Sequence, residues 1–343
     1  MSEVPTVLRA ACNTRRRERV ILVVTVDTEC DKGPGWRTQF PLSFRSVTDA
    51  LPKVLMPLFQ RHGVVPTLLL SPEVIQNDES ASVLENLRDC ELGTHLHGEF
   101  LEPGARAGAV GTYEAQSQYE PMVEREKLKN LTALFEGQFS RRPTSFRAGR
   151  FAASGRTLSY LEELGYLVDS SVTPFRTNYF EGGHPCNHWG APLRPYRPSA
   201  QDLRKRGRLR VLEVPLTLLA DSFAAFPAVL LRRLSDRILK QRRGLGALGL
   251  RPETKWLRPL RHSSAELIAL ADRVVATWRG GPPVVLNVMF HSVEAIPGAS
   301  PYAATPQDVT RLVEDLEKLF EHLRSTYMVE ACGLSSLHSM FCP

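Results

Sequence analysis

Two periodicities take turns along the chain, and together they spell out strands and helices in alternation. Val20–Val26 is an unbroken run of aliphatic and β-branched residues, as expected for a strand covered on both faces. Val47, Leu51, Val54, Leu55, Leu58 and Phe59 recur at helical spacing, predicting a helix over Val47–His62 that ends at Gly63. Pro52 and Pro57 interrupt it and predict a kink or a split. A strand over Val64–Leu70, a helix over Ser82–Cys90 and a strand over Glu91–His97 follow. A long polar helix is expected over Glu114–Gln138, with Gly137 near its end, then a short strand over Thr144–Ala148. Ser154 is placed to cap a helix over Gly155–Leu164, which Gly165 stops. Strands are expected over Tyr166–Asp169, Val211–Leu218, Lys255–Leu257 and Val284–Phe290, with an amphipathic helix over Ser263–Trp278. Thr305 caps a last helix through Arg324, and Tyr327–Val329 closes the series.

Repeated strand–helix units imply parallel strands joined by right-handed crossovers. The fold class is α/β, a distorted (β/α) barrel of about seven to eight parallel strands, close to the standard barrel's about eight. Residues 19–335 read as one domain between an N-terminal arm, 1–18, and a C-terminal tail, 336–343. The least patterned stretch, about 173–210, is rich in Pro, Gly and Arg and reads as an insertion lying over the strand ends.

Composition adds limits. The 343 residues are 43% hydrophobic and 23% charged, an ordinary globular balance. A net charge of +6 suits an anionic substrate or membrane surface and equally suits no charged partner. The basic clusters Arg15–Arg17 and Arg204–Arg208 lack interleaved aromatics, so they read as solvated loops and no nucleic-acid partner is expected. Six cysteines without CxxC spacing suggest free thiols in a reducing compartment. No secretory h-region precedes the arginines, and the longest apolar stretch, Val214–Leu231, is broken by Pro215, Asp221, Ser222 and Pro227. A cytoplasmic protein is expected. Phe226–Arg243 interleaves leucines with Arg and Lys; it reads as an outer barrel helix with a basic face, or as a peripheral contact with an inner membrane. The oligomeric state is not legible.

Chemistry concentrates at the carboxyl ends of the expected strands. Asp27 and Glu29 share one side of a strand end, where one carboxylate can bind a cation and the other accept a proton. His95 and His97 share the same relation, with Glu99 two further on, a donor set suited to zinc or another divalent metal. Arg147 and Arg150 end a strand; Arg147 is placed to orient a carboxylate such as Asp27 through a bidentate bond, and Arg150 to bind substrate. Asp169 and Ser170 are placed to hold an imidazole or bind substrate hydroxyls. His291 ends Val284–Phe290 with Glu294 nearby, a general acid or base beside a substrate-binding carboxylate. His184, Cys186 and His188 lie in the insertion with no evident fourth ligand for a second metal. Cys30 is turned away from Glu29 by strand alternation and reads as packed.

These segments, in this order, resemble the polysaccharide deacetylase superfamily (the NodB-homology carbohydrate esterases), and most of all its divergent bacterial branch with TVDTE and GTHLH motifs. Thr25–Glu29 matches the first family motif, Glu91–Glu99 the second, Ser145–Arg150 the third, Leu167–Ser171 the fourth and Leu286–Ser292 the fifth, so the resemblance spans about residues 20–330. It implies a distorted barrel that removes an N- or O-acyl group, usually acetyl, from a sugar, with zinc held by a carboxylate and two histidines. It implies Asp27 as base, His291 as acid, His95 as metal ligand and Arg147 as the residue that steers the base. Two departures stand out. Thr28 occupies the place of a second Asp, so Glu29 must supply the carboxylate ligand. The second histidine is expected four after His95, where Glu99 stands; strand geometry offers His97 as the third ligand and family register offers Glu99. The implied substrate is an N-acylated sugar or glycoconjugate, with a cytoplasmic precursor favoured. A weakened carbohydrate-binding protein of the same fold and a deformylase or amidase are the competing readings.

Overall fold

The computed structural model describes residues 17–106, 115–178, 180, 185–220, 254–278 and 281–342. Its centre is β1 (Arg19–Thr28), the first apolar run, buried along almost its whole length. The remaining strands of the main sheet are β2 (Pro66–Leu70), β3 (Glu91–Leu96), β4 (Ser145–Ala148), β5 (Val168–Asp169), β8 (Leu212–Glu213), β11 (Val284–His291) and β12 (Met328–Ala331). They form an eight-stranded sheet in the order β11-β1-β2-β3-β4-β5-β8, with β12 also paired to β1, and every pairing is parallel. The β12 strand pairs with Arg19–Leu22 and β2 with Val24–Thr28, so the two follow one another along one edge of β1.

The sheet curls but closes only loosely. Past β8 the ladder stops at Pro215, which has no N–H to give. Thr217 N then donates to Asn287 O and Met289 N to Leu257 O, both at 3.3 Å, so single bonds cross the gap to β11. Two small antiparallel pairs complete the strands: β6 (Thr177–Asn178) with β7 (Cys186–Asn187), and β9 (Leu218–Ala220) with β10 (Thr254–Trp256). The expected strand over Val211–Leu218 is thus two strands divided by Pro215.

Side-chain alternation sorts the sheet into two faces. Val20, Leu22, Val24 and Val26 point outward into the main apolar core. Helices that supply the other side of this core are α1 (Met56–Arg61), α3 (Asp78–Asn86), α4 (Pro121–Phe139), α5 (Gly155–Glu163), α6 (Ser264–Thr277) and α7 (Pro306–Thr326), with the single turn α2 (Pro72–Ile75) between. Ile21 and Val23 point inward, where they meet Leu69, Val168, Leu212 and Val214. Leu334 and Leu337 join that inner cluster. The residues read as a tail include a helix, α8 (Ser336–Phe341), which plugs the barrel at the start of its strands. Above this apolar floor lies a polar layer of Thr25, Arg147, Ser170 and Asn287, hydrogen-bonded to one another. The chemistry sits on top of it.

Local physics explains the boundaries. The split at Pro52 and Pro57 takes the form of a π-helical turn over Ser46–Leu55, with Pro52 inside, running into α1 with Pro57 in its first turn. The α3 helix begins earlier than expected because Asn77 caps it, accepting from Ser80 N, and it ends at Asn86, so Cys90 lies outside. Pro121 opens α4, seven residues later than expected. Ser154 and Thr305 cap their helices as anticipated, and Ser263, read as the first residue of its helix, is its cap. The insertion divides in two. Its β6–β7 pair reaches the strand ends, where Asn178 Nδ2 donates to Arg150 O, while Tyr196 folds back onto the edge of β8. Among the described residues no helix is long and apolar enough to cross a membrane. The basic stretch Phe226–Arg243 and His184 lie outside the described residues.

Candidate active site

The strand ends bring Glu29, His95 and His97 together. Glu29 Oε1 lies 3.4 Å from His95 Nε2 and 3.3 Å from His97 Nε2, and the two Nε2 atoms are 3.2 Å apart. Bond lengths of about 2.0–2.1 Å in a tetrahedral zinc site imply ligand separations of about 3.3 Å. The triangle therefore has the size of one face of such a site, and these residues can hold a metal ion. Its second layer also fits. His95 Nδ1 bonds Arg147 O at 2.9 Å and His97 Nδ1 bonds Glu99 Oε1 at 3.2 Å, which leaves both Nε2 lone pairs turned to the centre. Lys32, buried with them, holds Glu29 Oε2 at 3.2 Å and leaves Oε1 for the triangle. Gly149 makes room: a Cβ there would lie 2.4 Å from Leu96 O and 3.3 Å from the His97 ring.

The charges also ask for a cation. Burial would raise Glu29, but His97, Lys32 and His95 more than offset it and hold the carboxyl well below its usual range. Burial would lower His97, yet Glu29 and Glu99 push it up to about 9. Thr28 takes no part, because its hydroxyl donates to Val26 O on its own strand.

Asp27 and His291 face each other beside the triangle, since β1 and β11 pair them in register. Asp27 Oδ2 is 3.8 Å from His291 Nε2 and 3.9 Å from His95 Nε2. Asp27 Oδ1 is held by Arg147 Nη1 at 2.5 Å. The bond is single, not bidentate: Nη2 of the fully buried Arg147 donates instead to Thr25 and Ser170. Burial would raise Asp27, but Arg147, His95 and His291 together leave it below the usual carboxylate range. His291 Nδ1 bonds Glu294 Oε1 at 2.9 Å, and Arg258 Nη2 holds that same oxygen at 2.5 Å. Trp36 covers the imidazole with ring centroids 4.7 Å apart.

Other expected residues lie elsewhere. Glu99 stands behind His97, paired at 2.5 Å with Arg150, which is partly exposed. Ser170 Oγ is buried beneath Arg147 and donates to Val214 O at 2.8 Å. Asp169, one residue away, faces the opposite side of the sheet; it accepts from Ser171 and neighbours Glu213, and it touches no imidazole. The group that holds an imidazole is Glu294, which sequence reading assigned to substrate. His188 and Cys186 touch each other at 3.3 Å without gathering a third ligand among the described residues. Cys30 is buried and apart from the triangle, as alternation implied. Sequence reading missed Lys32, Arg258 and Trp36. Lys32 was within reach of inference, as it stands three residues after Glu29; Arg258 carries no local signal.

Neither a family model nor a curated protein sequence matches the chain. Solved structures do. A protein assigned as a polysaccharide deacetylase from Pseudomonas aeruginosa PAO1 superposes with a TM-score of 0.51 and 14% identity, covering 94% of this chain and 90% of its own. One so assigned from Mycobacterium smegmatis gives 0.50 and 14%, with the same coverage. The PuuE allantoinase gives 0.52 and 12%, covering 98% and 97%. At these identities the likeness is one of fold: the chain has the curled (β/α) barrel of the NodB-homology deacetylases.

Proposed function

We propose that the chain is a metal-dependent hydrolase that removes an N-acyl group, acetyl in the first instance, from an amino sugar or glycoconjugate precursor. The observation that carries this reading is the donor triangle of Glu29, His95 and His97 with the Asp27–His291 pair beside it. Zinc suits a set of two imidazoles and one carboxylate. Bound there, a divalent cation would polarise the acyl carbonyl and lower the pKa of a water.

The chain's own residues do the rest. Arg147 occupies one oxygen of Asp27 and keeps the carboxyl ionised, so Oδ2 is the atom that takes the proton of the attacking water. Glu294 fixes the His291 ring through Nδ1, which leaves Nε2 to protonate the departing nitrogen. An amine leaves poorly without that proton, so the base and the acid must face one reacting centre, and the β1–β11 register that pairs Asp27 with His291 supports this reading. Trp36 and Tyr302, with centroids 5.5 Å apart, form an aromatic wall next to His291 on which a sugar ring can rest. The allantoinase superposition favours a second reading in which the same residues cut a C–N bond of another acylated substrate.

Acetate release from a panel of N-acetylated amino sugars by zinc-loaded protein tests the proposal, with formate release from N-formyl analogues as comparator. Asp27→Asn and His291→Ala should each lower kcat by about 10²–10⁴ while metal content stays unchanged. Wild-type turnover surviving either substitution would rule the mechanism out. Formate release without acetate release would move the reading to a deformylase.

A further inference from the structure

Three arginines from two segments gather around a single indole, and one of them, Arg258, reaches His291. The Arg176 guanidinium lies 4.5 Å above the Trp256 ring. Arg258 lies 5.8 Å from that ring and 4.9 Å from Tyr302, and Arg261 lies 5.7 Å and 5.9 Å from the same pair. Only Arg258 has an acidic partner, Glu294; among the described residues no carboxylate pairs with Arg176 or Arg261. Burial, with Arg261 and Arg258 close by, pushes Arg176 below the ordinary guanidinium value.

Unused donors mark the same place. Arg176 Nε, Arg258 Nε and Trp256 Nε1 are all buried and none has an acceptor among the described residues. Trp256 and Arg258 are each only 4% exposed. Buried donors without partners are uncommon and costly, and three around one ring imply an occupant that accepts from them. The cradle opens to solvent along Arg261, which is exposed, and it joins the catalytic centre through Arg258, whose Nη2 is 3.1 Å from His291 Nδ1.

An anion is the occupant that satisfies both the charge and the donors. A planar carboxylate is matched by one guanidinium fork, whereas a tetrahedral oxyanion can accept from several directions. With Glu294 balancing Arg258, the two remaining charges match the about −1.5 to −2 of a phosphate monoester near neutrality. We propose that Arg176, Arg258, Arg261 and Trp256 bind a phosphoryl group of the substrate, so that the acylated amino sugar is a phosphate or diphosphate ester and not a neutral oligosaccharide. The identification of that group as part of the substrate rests on the deacylase reading; the anion site itself does not.

Calorimetric titration of metal-free protein at low ionic strength separates the two. The titrants are inorganic phosphate, a hexose 1-phosphate, a nucleoside diphosphate hexose and a hexuronate, each against wild type, Arg176→Gln, Arg261→Gln and His95→Ala. Phosphate should bind wild type and His95→Ala alike, and affinity should fall about tenfold or more in each arginine variant. Whichever of the two esters binds more tightly identifies the monoester or the diphosphate as the natural form. Equal binding by wild type and both arginine variants, no binding at all, loss in His95→Ala alone, or preference for the uronate would overturn the proposal. Arg261 is exposed, so its variant keeps the test valid if Arg176→Gln fails to fold. Phosphate binding without acyl release from any sugar would leave the cradle standing and refute the deacylase.

Discussion

Each histidine of the site has one ring nitrogen committed to a neighbour: His95 to Arg147 O, His97 to Glu99 and His291 to Glu294. That commitment decides which nitrogen faces the triangle, and the His97–Glu99 contact supports the proposal that Glu99 orients His97 and is not itself a ligand. Glu99→Gln should therefore weaken zinc binding by about 10–100-fold without abolishing it, as measured by competition with a chromogenic chelator. Complete loss would make Glu99 a ligand. Strand alternation in the sequence was enough to place Asp27 with Glu29 and His95 with His97. It could not settle Glu99, because the chain leaves the strand at Gly98 into a 3-10 turn and alternation no longer applies. The same rule, applied along β5, turns Ser170 inward and Asp169 outward, so a motif that spans both names one residue too many for the site.

At the scale of elements, parallel pairing of β5 with β8 sets Asp169 beside Glu213 in full burial. Burial and the neighbouring Asp169 push Glu213 well above the ordinary carboxyl range, and among the described residues Glu213 Oε2 accepts from no donor, an arrangement that favours the protonated carboxyl. The folded state thus holds a proton that the unfolded chain releases near pH 4.5. Its contribution to stability is complete below that pH and is lost as pH rises toward the folded value, by about 1.4 kcal/mol per pH unit. Glu213→Gln keeps a donor toward Asp169 but has no proton to release. Its melting temperature should rise relative to wild type between pH 5 and pH 8, and a difference that stays flat over that range would show that Glu213 is not protonated. Elements with strong local signals were legible: the buried runs of β1 and β11, and the caps at Ser154 and Thr305. Elements set by tertiary contact were not. The two-residue strands β6 and β7, inside the stretch read as a loop insertion, exist only because they pair with each other, and α8 follows from the need to cover Ile21 and Val23 at the barrel floor.

For the molecule as a whole, the barrel sorts its interior along the strand direction into an apolar floor, a polar layer anchored by Arg147 and Asn287, and a charged rim. The rim lies at the carboxyl ends of the strands, where barrel chemistry is expected. The parallel count and this placement were readable from the repeating pattern. The arginine cradle was not, because Arg176, Arg258 and Arg261 are distant from the metal motifs in sequence and meet only through the curl of the sheet. The proposed chemistry depends on Glu29, His95 and His97 holding a metal ion. The deciding measurement is the metal content of protein purified without chelator, for wild type, His97→Ala and Glu99→Ala. About one equivalent of zinc in wild type, lost in His97→Ala and retained at reduced affinity in Glu99→Ala, is the predicted result. No metal taken up by wild type on titration, or full retention in His97→Ala, would contradict it.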